Sequence, residues 1–341
     1  MRSLIWAAIP QGLGQTVLLL VYLRSRFSRF WRDFQWPVLR RQLAYAMPFG
    51  MAAALAWVQS DLHNFVVSNQ MGAAAYAIYS IGCLQLPLVV VLNESIGYVM
   101  VPHLSYLEAS GRSREIAVLT SRMMRKQAAV YFPLYAMLMV VGRELITILF
   151  TTQYIESWPV FAINLSMIPL YIVSSAGDPV IRAHAEHRYF LVKVRAALSV
   201  LLLACLWAGT KRFGLVGAVT VVVGVALIER VAIAFKVRQI LGVTRRDIVL
   251  IKDVGKLGIA AVASGVAAMF VRSLVVTAHP FEVVILSTLT FSVVYPGAVL
   301  LLGVLQPNER EWLRQLIVRA RRLTSSKIEA DPIPIGGYRE R

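Results

Sequence analysis

Cysteine is nearly absent from this chain: among 341 residues only Cys83 and Cys205 are found, both inside apolar stretches. Two isolated thiols provide neither a disulfide framework nor a thiolate metal cluster. Charge is also scarce, at 16% of residues, and acid is scarcer than base, with 18 Asp and Glu against 35 Lys and Arg. No long polar stretch remains for a soluble domain. A hydrophobic share of 58% and a mean hydropathy of +0.65 lie outside what a water-soluble chain of this length shows. The formal net charge of +17 raises nucleic acid as a partner. The basic residues, however, fall in short connectors between apolar runs, the mark of membrane topology rather than of a nucleic-acid surface.

What is present is a series of apolar runs, each long enough to cross about 30 Å of hydrocarbon as a helix. Scanning for runs bounded by charge, Gly or Pro gives about nine candidate spans. They cover 4–23, 44–69, 76–103, 127–150, 157–177, 191–210, 214–235, 257–277 and 282–304. The first resembles a signal peptide in position, but its length, Pro10, Gln11 and the basic segment after it mark a retained helix. Pro48, Pro87 and Pro102 are expected to break the helix ladder in the second and third spans. The fold class expected is therefore all-α, a polytopic membrane helix bundle.

Alternate connectors differ sharply in charge. One set, at 24–41, 112–126, 182–195, 236–256 and the tail from Arg310, carries most of the Lys and Arg; the opposite set has only Arg2, Lys211 and Arg212. Basic connectors stay on the cytoplasmic side, so the C-terminus is expected inside and, with an odd number of spans, the N-terminus outside. An N-out start on Met-Arg, with no helix before it, suggests that the natural chain begins further upstream and that this one is a fragment. Beyond Gln306, Glu309 to Leu323 reads as a basic amphipathic helix on anionic phospholipid of the inner leaflet. Pro332, Pro334, Gly336 and Gly337 then mark a flexible end.

From Tyr45 to Gly111, Pro48 and Gly50 open a helix that carries Asp61, and a short turn at Met71 and Gly72 follows. Tyr76 and Tyr79 then begin a helix that contains Pro87 and closes with Pro102, Leu104 and Ser105 before a basic loop. This stretch resembles the polysaccharide-repeat-unit (O-antigen type) flippases of the multidrug/oligosaccharidyl-lipid/polysaccharide exporter superfamily. Leu145 to Leu165 is similar to a helix-end pattern of that family, with a departure at Thr151, where the family usually has glycine.

The resemblance implies about 12 to 14 helices in two bundles, of which this chain looks like the second. The divisions would be 1–43, the last helix of the first bundle and a basic cytoplasmic linker; 44–236, the second six-helix bundle; 237–304, two additional helices; and 305–341, a basic cytoplasmic tail. It further implies a bacterial inner-membrane protein that flips a lipid-linked oligosaccharide on polyprenyl pyrophosphate, with no covalent chemistry, no cofactor and no nucleic acid. The alternatives are a drug or cation antiporter of the same superfamily and a non-functional transporter fragment. A membrane glycosyltransferase or polysaccharide polymerase is disfavoured, since no acidic metal-binding motif and no large outer loop is visible.

Ionisable groups inside spans are the default functional candidates, because they are costly unless paired or facing a polar cavity. Asp61 leads them, with His63 and Asn64; Asp61 and Asn64 share a face by their i, i+3 spacing. Its structural alternative is a pairing with Arg143 or the capping of a helix break. Gln85, Asn93 and Glu94 form a second group, with an interhelical hydrogen bond as the plainer role. Arg143 and Glu144 read as interfacial residues. The segment from Asp178 to Arg188 reads as a cytoplasmic loop whose Arg182 and Arg188 face lipid headgroups or a substrate phosphate. Its His184, Glu186 and His187 lack metal-site spacing, so no metal is expected. Gly214 with Gly217, and Gly258 with Gly265, read as helix-packing points.

Overall fold

The computed structural model describes residues 2–27, 35–242, 252–275 and 279–304, with side chains from residue 10 onward apart from that of Ala185. The expected amphipathic helix at 309–323 and the tail lie outside these residues. The described chain is an all-α multi-pass membrane bundle. Its helices are α1 (Arg2–Arg26), α2 (Trp36–Gly82), α3 (Pro87–Ala109), α4 (Ser113–Phe150), α5 (Trp158–Leu165), α6 (Met167–Ala183), α7 (Phe190–Leu241), α8 (Lys252–Leu274) and α9 (Pro280–Leu301). Six stretches among the described residues are long and apolar enough to cross a bilayer, including Thr152–Ala183 and Phe190–Leu241.

Two of these helices fold back on themselves. α7 has 52 residues, which as a straight rod would measure about 78 Å, far beyond the bilayer. Arg195 and Glu229, 34 positions apart, nevertheless meet at 2.9 Å. The reversal is at Gly214, whose φ of 60 and ψ of −142 suit a residue without Cβ. The two arms close tightly beyond it: a Cβ on Gly217 would collide with the carbonyl oxygen of Gly209. Gly217 is thus a packing point as expected, whereas Gly214 is a turn. α2 reverses in the same way at Gly72, with φ 80 and ψ 175. The two turns lie at one end of the bundle, where an ideal Cβ on Gly214 would stand 3.7 Å from Met71.

The expected continuous span 76–103 is interrupted. The helix arm after Gly72 ends at Gly82, residues 83–86 are non-helical, and α3 begins at Pro87. Pro87 has no N–H and drives Leu86 into an extended conformation (φ −75, ψ 116), so the break falls before it. Pro48 and Pro102 sit inside continuous α-helix: each lacks the N–H of one ladder bond, but neither ends its helix.

α2 and α6 pack against α7, α3 against α6, and α4 against α6, while α8 and α9 pair and lie along α4. Val67, Leu202, Leu206 and Val219 form the core between α2 and α7. Tyr131, Phe161, Leu165 and Ala260 form the core around α4. The described side chains of α1 are nearly all exposed, including Leu18 at 71%.

Candidate functional site

Bending α7 back at Gly214 brings four ionisable side chains from α6 and α7 together. Arg195 is 6% exposed and fully engaged. Its Nη2 donates to Asp178 Oδ2 at 3.0 Å, its Nε to Glu229 Oε1 at 2.9 Å and its Nη1 to the Ala52 carbonyl of α2 at 3.0 Å. Gln59 donates to the Arg195 carbonyl from α2 at 3.0 Å. One guanidinium therefore bolts α2, α6 and both arms of α7 together, and Asp178 and Glu229 satisfy its buried charge.

Arg230 is placed differently. Its Nη1 lies 3.1 Å from Glu229 Oε2 without the alignment of a hydrogen bond, and its buried Nε and Nη1 have no hydrogen-bond partner. The buried Nε of Arg182, in the last turn of α6, also has none. Buried donors without acceptors are costly in a low-dielectric interior. Both guanidiniums line the same cavity of about 580 Å3, bounded also by α3 residues and by Tyr171, Ser174 and Asp178 of α6.

A second cavity, of about 240 Å3, shares Tyr171 and Arg230 with the first. Gln59 and His63 of α2, Asn164 of α5, Glu229 and the unwound residues 83–86 line it. Non-helical backbone at membrane depth is tolerated where it faces protein or a polar cavity, and broken helices mark binding sites in transporters. Here the break and the cavity coincide.

The residues expected from sequence separate into two groups. Gln85 lines the smaller cavity, as does His63, which is buried and whose Nδ1 meets the Tyr79 hydroxyl at 3.0 Å. Asn93, Glu94 and Arg182 line the larger one. Asn93 accepts an interhelical hydrogen bond from Tyr131 at 3.3 Å, whereas Glu94, for which such a bond is the plainer expectation, makes none among the described residues. Asp61 lines neither: it is exposed on α2, one turn from Trp57 and one from Phe65. It has no ion pair with Arg143 among the described residues; Glu144 instead pairs with Arg272 at 2.6 Å. Asn64 is half-buried and also lines neither cavity.

The segment 178–188 is not one loop. α6 runs through Pro179 to Ala183, so Asp178 and Arg182 are helical and inward, while Arg188 beyond it packs over the Tyr189 ring at 5.2 Å. His184 bonds the Val180 carbonyl at 2.8 Å. Sequence reasoning missed Asp178, Arg195 and Glu229 as a unit. The available signal was the adjacent Glu229 and Arg230 closing a long apolar run from Leu215.

Residues 1–159 match the family described as polysaccharide biosynthesis protein. No curated protein and no solved structure matches the chain. The matched stretch, a little under half of the chain, contains α1 to α4 and is similar to a polysaccharide biosynthesis family of flippase type.

Proposed function

We propose that the protein moves a lipid-linked oligosaccharide across a bacterial inner membrane, with its C-terminus in the cytoplasm. The saccharide and pyrophosphate pass through the polar interior while the prenyl tail stays in the bilayer. One observation carries this reading: Arg182 and Arg230 converge on one cavity with buried donors that have no hydrogen-bond partner among the described residues. Guanidinium donors match phosphate oxygens in geometry and charge, so a pyrophosphate answers the deficit. The family match supports a polysaccharide-related transporter. The concentration of Lys and Arg in alternate connectors supports the orientation and an affinity for anionic phospholipid at the inner leaflet.

The test is complementation of a polysaccharide-flippase-null strain, paired with binding of a polyprenyl pyrophosphate saccharide to the chain in nanodiscs. Restored surface polysaccharide, lost with Arg230→Gln at equal membrane insertion, is the expected result. An inserted chain that neither restores polysaccharide nor retains the lipid sinks the reading. Efflux of cationic drugs by that same chain would put the antiporter in its place.

A further inference from the structure

The larger cavity is polarised. Arg182 and Arg230 stand on its α6 and α7 side, and α3 contributes Asn93, Glu94, Gly97 and Tyr98 to the facing wall. These four α3 positions fall at i, i+1, i+4 and i+5, a single stripe of the helix. Glu94 is exposed and has no ion pair or hydrogen bond among the described residues, although two guanidiniums line the same cavity. A carboxylate in a spanning helix is costly against lipid, so it faces water or a polar occupant. Tyr98 presents its ring at 78% exposure, and a Cβ on Gly97 beside it would meet open space. Asn93 accepts from Tyr131 through Oδ1, leaving its amide N–H groups to donate.

From this arrangement, and resting on the flippase reading above, we infer that the α3 stripe is the saccharide wall of the cavity. The carboxylate of Glu94 accepts from sugar hydroxyls, the amide of Asn93 donates to them, and the ring of Tyr98 takes the C–H face of the first sugar. A ligand of uniform charge leaves one wall unanswered. A sugar pyrophosphate, anionic at one end and hydroxylated at the other, answers both. Tyr98 and Glu94 then set which saccharide is accepted, and Arg182 and Arg230 hold any member of the class.

The experiment compares binding of bare polyprenyl pyrophosphate with that of the same lipid carrying glucose, galactose or N-acetylglucosamine, using the full chain in nanodiscs. At least one saccharide lipid is expected to bind about tenfold more tightly than the bare lipid, a ratio that cancels the shared pyrophosphate and tail. Tyr98→Ala, Glu94→Gln and Gly97→Leu should each erase that ratio without weakening binding of the bare lipid, while Tyr98→Phe keeps it. The inference is overturned if no sugar improves on the bare lipid, or if the α3 variants weaken bare and glycosylated lipids alike. Failure of the transport reading looks different: Arg230→Gln then alters binding of none of the four lipids. A sugar preference that still depends on Tyr98 would keep the α3 wall and move the pyrophosphate elsewhere.

Discussion

The side of the molecule built by α2, α6 and α7 and the side built by α4, α8 and α9 use charge in opposite ways. Around α4 two cations close on backbone carbonyls and one ion pair joins α4 to α8. Arg125 donates to the Val304 carbonyl at 3.0 Å and Lys256 to the Leu302 carbonyl at 3.1 Å, so two cations hold the carbonyl end of α9. At the opposite ends of α4 and α8, Arg272 meets Glu144 at 2.6 Å. The cavity between these helices, lined by Phe132, Met139, Gly258, Val262 and Gly265, contains no charged side chain. Around α7 Asp178, Arg182, Arg195, Glu229 and Arg230 line cavities, and Arg182 and Arg230 keep buried donors there without a hydrogen-bond partner among the described residues. Helix-end cations on backbone carbonyls fasten a fold, whereas leftover donors on a cavity await something from outside it.

The sharpest way to break this comparison is to remove the guanidinium on the cavity side that engages three partners at once. Arg195→Met leaves Asp178 and Glu229 buried without their shared cation, and truncating one partner of such a network costs about 3–5 kcal/mol. Thermal unfolding in detergent should show a large loss of Tm or no folded protein at all. Replacing Asp178 and Glu229 by Leu in the same chain should recover much of it, because an apolar set can substitute for a buried ionic one. An unchanged Tm for Arg195→Met alone would mean that the network does not hold the helices together. Next in size is Gly217→Leu, which forces the arms of α7 apart where the Gly209 carbonyl blocks any Cβ. Overpacking at a contact that cannot relax costs about 1–3 kcal/mol. Its loss of Tm should exceed that of Gly224→Leu, a position on the same helix where a Cβ meets open space.

On the α4 side a stabilising change is expected. Thr151, where α4 ends, has φ 77 and ψ 165, a region essentially reserved for glycine. Holding a side chain there costs of order 1–3 kcal/mol, so Thr151→Gly should raise Tm despite the added freedom of the unfolded chain. A lowered Tm would show that the side chain of Thr151 contributes more than its backbone costs.

Thr151 also shows what the sequence made legible. Its departure from the glycine of the resembling family marked the residue before any backbone angle was known. The spans were legible because the bilayer demands about 20 apolar residues in succession, and Gly72 stood out as a turn between two such runs. The break at 83–86 was only half visible: Pro87 announced a disruption, but the unwinding before it depends on a cavity that no local signal encodes. The bolt at Arg195 was hidden for a different reason. A basic residue near an apolar boundary looks like a connector charge when judged by its neighbours in the chain, and Pro179 made Asp178 look like the start of a loop. Their partner Glu229 is 34 positions from Arg195 and reaches it only because Gly214 reverses the helix. Hydropathy sorts residues by local context, so pairings made by a tertiary reversal lie beyond it.

The smallest effects concern two ion pairs of equal length. Arg272–Glu144 and Arg112–Glu115 both close at 2.6 Å, so distance alone would rank them together. Their surroundings differ: the side chains of the first pair are 27% and 15% exposed and join α8 to α4, whereas those of the second are 50% and 51% exposed and lie three residues apart at the start of α4. Solvent screening and the freedom of two long side chains cancel most of the attraction in an exposed pair, but less of it in a half-buried one. Arg272→Gln should therefore lower stability by about 1 kcal/mol, while Arg112→Gln should leave Tm within the scatter of the measurement. Equal losses from the two substitutions would mean that burial does not separate these pairs. The contrast between fastened and unsatisfied charges would then have to rest on Arg182, Arg195 and Arg230 alone.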